Sequence, residues 1–134
     1  MNGDVLMRRV AEAFEMADLR PLFDAIDDKI VWKSAVTTTG TFGFGGVYRN
    51  RAGVVQLTTQ VISAYNIERL RPKEIIESGN TVWGLFDVEG EFRPSVAVGR
   101  FKCDYAVRWR LRRGKIVEHQ GFVDTHALLQ QQMN

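Results

Sequence analysis

The sequence has few of the residues that would cross-link it or carry it into a membrane. Its 134 residues include one cysteine, Cys103, so an intrachain disulfide cannot form. It lacks the run of about 18 uncharged apolar residues that a membrane span needs. The first ten residues, MNGDVLMRRV, lack the continuous apolar segment of a signal peptide. We therefore expect a cytoplasmic protein with no membrane partner.

Excess charge and metal-binding residues are also scarce. The formal net charge is only +2, and the basic residues are not gathered into a tail, which argues against nucleic acid as a partner. His119 and His126 are the only histidines, and no cluster of Cys, His and Asp has the spacing of metal ligands. We predict no metal, and we interpret Cys103 as a small buried hydrophobe.

The composition is that of an ordinary globular domain, with 45% hydrophobic and 25% charged residues. A chain of this length can bury about two thirds of its unfolded surface and needs no metal or disulfide to fold. We find no repeat or linker, so residues 1–134 are predicted to form one domain.

Hydrophobic periodicity predicts helices first and then a run of strands joined by short turns. Asp18 can cap the second helix, Pro21 fits its first turn, and Asp27 and Asp28 are expected at its end. The order is typical of an α+β domain with a pocket between an antiparallel sheet and the helices. The predicted helices cover residues 4–17, about 18–28, 52–65 and 125–132, and the predicted strands cover 29–35, 66–77, 81–92, 96–112 and 115–123.

Two segments carry a resemblance to a known family. The C-terminal DYAVRWRLRRGKIVEHQGFVDTHALLQQ resembles the SnoaL-like polyketide cyclases, and FDAIDDKIVW with GGVYRNRAGVV resembles their first strand and third-helix entry. These cyclases belong with ketosteroid isomerase to the nuclear transport factor two-like superfamily. The resemblance implies a cone-shaped, curved antiparallel sheet wrapped around three helices. It also implies a pocket for a small apolar or amphipathic molecule, no cofactor, and a homodimer formed through the outer sheet face.

The ketosteroid isomerase machinery does not carry over to this sequence. By resemblance, Lys33 stands near the position of that enzyme's aspartate base, Val10 near its tyrosine and Val107 near its second acid. Steroid isomerisation is therefore not the first choice. Lys33 could still act as a pocket base or a counter-ion, although a lysine in a strand is more often solvated.

The SnoaL-like cyclases are similar to this chain near its C-terminus and use an acidic residue as general acid/base. Asp124 lies in the comparable segment and His119 in the comparable Glu-His pair. Each has a structural alternative. Asp124 immediately precedes a helix and can cap it, and His119 can be a core histidine bonded to a backbone carbonyl.

Aromatic residues at alternating positions mark one buried sheet face, which is either plain core or the wall of a ligand cavity. Trp32, Tyr48 and Trp83 are further candidates for the wall because aromatic rings combine contact area with polar edges. Phe101, Tyr105, Val107 and Trp109 form the alternating row, and the opposite face carries the basic residues Arg108, Arg110 and Arg112, which are either part of a dimer interface or solvated.

The turn before the last strand decides whether the side chain of His119 lies on the inner or the outer face of the sheet. A two-residue turn at Arg113-Gly114 sets Leu111 opposite Ile116 and sends Glu118 inward. A three-residue bulged turn sets Val107 opposite His119 and sends His119 inward, because one residue of slip exchanges the two faces. Burying valines is cheaper than burying Glu118, so we favour the bulged register.

Three functions remain open. The first is a small-molecule enzyme that uses His119 and Asp124 for isomerisation, cyclisation or hydration near a carbonyl. The second is a non-catalytic carrier or sensor with the same pocket, and the third is an interaction domain. The glycine-rich TTTGTFGFGG loop lacks the strand and spacing of a phosphate-binding motif, and we expect it at the pocket mouth.

Overall fold

The computed structural model describes residues 2–35 and 44–133. Within these residues the chain forms four helices and one six-stranded sheet, which is curved and does not close into a barrel. The elements in chain order are α1 (Gly3–Met16), α2 (Arg20–Ala25), β1 (Ile26–Lys33), β2 (Val47–Arg49), α3 (Asn50–Ala64), β3 (Tyr65–Ser78), β4 (Thr81–Phe92), β5 (Arg100–Arg112), β6 (Lys115–Val123) and α4 (Thr125–Met133).

The sheet has the strand order β2-β1-β6-β5-β4-β3. All neighbouring strands are antiparallel except β1 and β6, which pair in parallel. Helix α1 packs on β3 and β4, α3 packs on β1 and β3, and α4 packs on β5. The α+β class and the helix-covered antiparallel sheet predicted from the sequence are confirmed.

The core lies between the inner sheet face and the helices. Alternate residues of the neighbouring strands β4 and β5 point inward, including Val82 and Phe86 of β4 and Val107 of β5, each no more than 3% exposed. Met7 of α1 and Leu57 of α3 meet them from the helical side, 1% and 2% exposed. This packing leaves the inner face of β4, β5 and β6 as the floor of any pocket.

Two predicted boundaries are corrected, and one strand is added. Asp27 and Asp28 belong to β1 and not to α2, because β1 begins at Ile26, whose side chain is fully buried. β5 begins at Arg100 and not at residue 96, since the chain turns between Arg93 and Gly99. The short strand β2 was not predicted. Most of the TTTGTFGFGG segment, residues 37–43, lies outside the described residues, so its predicted place at the pocket mouth stays a prediction.

Neither register proposed for the β5–β6 hairpin is correct. The turn is the two-residue Arg113-Gly114, with positive φ at both residues, so Leu111 does pair with Ile116. The ladder then shifts by one residue, so that Arg110 pairs with Glu118 and Val117 is left over as a bulge. Both Ile116 and His119 therefore face the core. The cross-strand partner of His119 is Trp109, and Val107 lies opposite Gly121.

Two glycine-to-alanine substitutions test this packing in opposite directions. At Gly90 an added Cβ would overlap the carbonyl oxygen of Asn66 on the neighbouring strand. Gly90→Ala should lower the free energy of unfolding by about 2 kcal/mol or more.

At Gly53 in α3 the nearest atom to an added Cβ would be 3.5 Å away. Gly53→Ala should raise the free energy of unfolding by about 0.5 kcal/mol, because alanine is the better helix former. Urea denaturation measures both, and a neutral Gly90→Ala would contradict the β3–β4 packing.

Candidate functional site

A cavity of about 160 Å³ lies between the inner sheet face and helices α1 and α3. Most of its wall is aliphatic or aromatic. Among the described residues that line it there is no carboxylate, lysine or arginine. The side chains with polar atoms in the described wall are Trp32, Ser34, Thr58, Tyr65, Cys103, Tyr105, Trp109 and His119.

Three of these polar groups form one hydrogen-bonded cluster on the β5–β6 wall. The indole Nε1 of Trp109 donates to Nδ1 of His119 at 3.1 Å. The other ring nitrogen, Nε2, lies 3.3 Å from the hydroxyl of Tyr105. The ring of Trp32 stacks on the imidazole, with ring centroids 3.5 Å apart and planes 6° apart. His119 is thus held by an edge contact on each ring nitrogen and by a face contact from β1.

Burial keeps this cluster uncharged. Loss of hydration lowers the pKa of His119 from 6.5 to about 3, so the ring is neutral at neutral pH. The same cause raises the pKa of Tyr105, which stays a phenol. Burial raises the pKa of Tyr65 to about 12. The pKa of Cys103 rises to about 11 through burial and the charges of Asp124 and Asp104. The described part of the cavity wall therefore presents hydrogen-bonding groups but no ion.

Most of the predicted binding residues lie in the cavity wall. Trp32, His119 and the alternating row Phe101, Tyr105, Val107 and Trp109 all line it. Two do not. Trp83 is 44% exposed on the outer sheet face and stacks with Phe122, because Val82 and Phe86 take the inward positions of β4. Tyr48 packs on the core from β2, and its hydroxyl donates to the carbonyl of Gly45 at 2.7 Å.

The other two predicted catalytic residues lie apart from His119. Asp124 is exposed, and its carboxylate accepts the backbone N–H of Ala127 at 3.0 Å, the geometry of an N-cap on α4. Lys33 is exposed as well, because it follows the inward-facing Trp32 on β1. Neither belongs to the described cavity wall.

Two features of the site were missed. Ser34, Thr58 and Tyr65 line the cavity, and none of them was predicted as a site residue from the sequence. Gly121 has no side chain and so carried no signal. A Cβ at Gly121 would lie 2.9 Å from the Tyr105 hydroxyl and 3.3 Å from Nε2 of His119. Its lack of a side chain gives those two groups room to meet.

Comparison with known proteins identifies the family. An open curved sheet, packed over helices and enclosing an apolar cavity, is the cone-shaped α+β architecture expected above. The sequence matches the SnoaL-like domain family over residues 7–119, and the chain belongs to that family. No curated protein matches the sequence.

Solved structures share the whole fold at low sequence identity. An NTF2-like protein of unknown function from Burkholderia pseudomallei is 21% identical, with all of both chains covered and a TM-score of 0.83. IdmH from Streptomyces antibioticus, a candidate polyketide cyclase, is 20% identical over all of both chains, with a TM-score of 0.81. TerC, co-crystallised with polyporic acid, is 21% identical over 96% of each chain, with a TM-score of 0.81. At these identities the likeness establishes the fold.

None of the helices within residues 2–35 and 44–133 is long and apolar enough to span a membrane. Over the same residues, no group of three or more His, Cys, Asp and Glu side chains is placed to hold a metal ion.

The buried neutral His119 predicts a pH dependence of stability. Between its unfolded pKa of 6.5 and its folded pKa of about 3, the unfolded chain binds a proton that the folded chain does not. The free energy of unfolding should therefore fall as the pH falls, by about 2 kcal/mol from this group between pH 7 and pH 5. Urea denaturation at steps over that interval measures the slope. His119→Gln should lack this part of the slope, and an equal slope in both proteins would contradict the burial of a neutral imidazole.

Proposed function

We propose that the protein binds a small uncharged molecule in this cavity and promotes isomerase, cyclase or hydratase chemistry beside a carbonyl group of that molecule. No organic cofactor or metal is needed in this proposal. The observation that supports it is the Trp109–His119–Tyr105 cluster, which places connected hydrogen-bonding groups at one point of a mostly apolar wall.

The composition of the wall selects the class of ligand. An ion would lose its hydration without gaining a charged partner among the described lining residues, which is strongly unfavourable. An apolar body gains from leaving water at about 25 cal/mol for each Å² buried. A cavity of about 150 Å³ in another apolar core holds benzene. A ligand with a single ring and one polar group fits the 160 Å³ described here.

Tyr105 is assigned the hydrogen bond to the carbonyl oxygen, and His119 is assigned the orientation of Tyr105. This hydrogen bond, in a site of low polarity, would stabilise the negative charge that develops during enolisation or ring closure. Both ring nitrogens of His119 already have partners, so the proton removed beside the carbonyl would pass to a solvent water or hydroxide that enters with the ligand. Asp124 and Lys33, which the sequence suggested as partners, are exposed and outside the described wall, so the proposal gives them no step.

A carrier or sensor is the second candidate, and one observation favours it. Both ring nitrogens of His119 already have partners, and the described wall holds no other group that could serve as a base at neutral pH. Binding without turnover would then be the function. The two candidates share the same cavity and differ only in what happens to the bound molecule.

Acetophenone separates the candidates because it has one ring and a carbonyl with exchangeable protons beside it. Binding should quench the fluorescence of Trp32 and Trp109, which line the cavity. In deuterium oxide an enzyme of the proposed class should accelerate deuterium uptake into the methyl group, and Tyr105→Phe should lower that rate about 100-fold. Asp124→Asn is the matched control and should keep the rate. Binding without faster uptake would favour the carrier, and absence of binding would contradict both.

We also propose that the chain forms a homodimer through the outer face of the sheet. Trp83 and Leu85 of β4 and Phe122 of β6 are 44%, 37% and 47% exposed there. Ala106 joins them, since it pairs with Leu85 on one side and with Phe122 on the other. Arg108 and Arg110 lie beside this patch and contact Glu118. Exposed apolar side chains with a charged rim are typical of protein interfaces.

Light scattering at micromolar concentration tests the dimer. The expected mass is about twice the 15.3 kDa of one chain. Phe122→Glu should shift the protein to the monomer, because it would place a charge in the buried patch. Val5→Glu, at a position of similar exposure on α1, should stay dimeric. A monomer at all concentrations, or equal effects of the two substitutions, would contradict the proposal.

A further inference from the structure

The hydrogen bond from Trp109 restricts the protonation of His119. An indole N–H can only donate, so the nitrogen that faces it at 3.1 Å must be an acceptor. Nδ1 of His119 therefore carries no proton. The ring is neutral, so its single proton must sit on the other nitrogen, Nε2. The opposite tautomer would point two N–H groups at each other across this contact.

The proton on Nε2 in turn sets the direction of the next hydrogen bond. Nε2 donates to the oxygen of Tyr105, which lies 3.3 Å away. The hydroxyl hydrogen of Tyr105 must then point elsewhere. No other described residue accepts a hydrogen bond from it, and Tyr105 lines the cavity. The hydroxyl is left to donate to a molecule bound there.

We infer that Trp109 is a positioning residue that fixes the tautomer of His119 and so makes Tyr105 a hydrogen-bond donor aimed at the bound ligand. The site would then prefer ligands with an acceptor, such as a ketone carbonyl, at that point. This preference rests on the proposed ligand-binding function, whereas the tautomer does not.

Neighbouring groups hold Trp109, His119 and Tyr105 in this arrangement. The cross-strand partners of His119 are Trp32 on one side and Trp109 on the other, so the imidazole lies between two indoles. Trp32 contacts only the ring face and donates nothing to a ring nitrogen. Gly121 leaves the space in which Tyr105 reaches Nε2. The two tryptophans therefore provide a matched pair, since both touch His119 and only one constrains its protons.

Nitrogen NMR of protein labelled in histidine tests the tautomer directly. His126 is exposed, so His126→Gln identifies the signals of His119. In the otherwise unchanged protein at neutral pH, Nε2 should carry the proton and Nδ1 should not. Trp109→Phe should give a mixture of both tautomers, and Trp32→Phe should keep the single one. A proton on Nδ1 in the protein with both tryptophans would overturn the inference, whether or not the variants fold.

Ligand preference gives the second measurement. Acetophenone and cumene have similar shapes, and only acetophenone has a hydrogen-bond acceptor. Loss of one hydrogen bond of about 1.4 kcal/mol is a tenfold change in affinity. The ratio of their affinities should therefore fall about tenfold in Tyr105→Phe and in Trp109→Phe, and stay within twofold in Trp32→Phe. An unchanged ratio in Trp109→Phe would overturn the positioning role.

The two measurements separate this inference from the proposed function. Failure of both probes to bind, with the Nε2 proton present, would remove the proposed function and leave the tautomer assignment standing. Binding of the probes, with the proton on Nδ1, would leave the proposed function standing and remove the tautomer assignment.

Discussion

The site depends on one extra residue in the β6 ladder. Without the bulge at Val117, alternation from the buried Ile116 would turn Glu118 and Gln120 inward and His119 outward. With it, His119 enters the core between two indoles, one on β1 and one on β5. The stacking on Trp32, the bond from Trp109 and the approach of Tyr105 all follow from that single shift in register.

A polar cluster in a mostly apolar cavity is stable here because the indole N–H of Trp109 and both ring nitrogens of His119 have partners within it. Leaving the imidazole without partners would cost about 1–3 kcal/mol for each polar group. The same low-polarity surroundings that make an unpaired group costly strengthen each hydrogen bond that forms. They also keep His119 and Tyr105 uncharged. The described wall thus offers hydrogen-bonding groups without a net charge, which suits an uncharged ligand.

Strand β4 contributes side chains to both faces of the sheet. Alternation along β4 directs Val82, Gly84 and Phe86 to the core while Trp83 and Leu85 face outward. The inner face forms the cavity, and the outer face forms the exposed apolar patch. Because the fold supports many chemistries, the proposed functions of these two faces rest on their particular side chains and not on the architecture. The related structures share the fold at about 20% sequence identity, so most side chains differ between them and this chain.

The sequence by itself determined the α+β class, the order of the main helices and strands, and the row of Phe101, Tyr105, Val107 and Trp109 on one sheet face. These follow from local periodicity, which a single sequence displays directly.

Tertiary structure alone decided which residues meet. It placed Trp32 against His119, exposed Asp124 and Lys33, and turned Trp83 outward. The hydrophobic pattern favoured a bulge near this turn but did not fix its position at Val117, and Gly121 has no side chain to reveal the space it provides. Contacts between strands far apart in sequence depend on register, and register is settled only when the whole core packs.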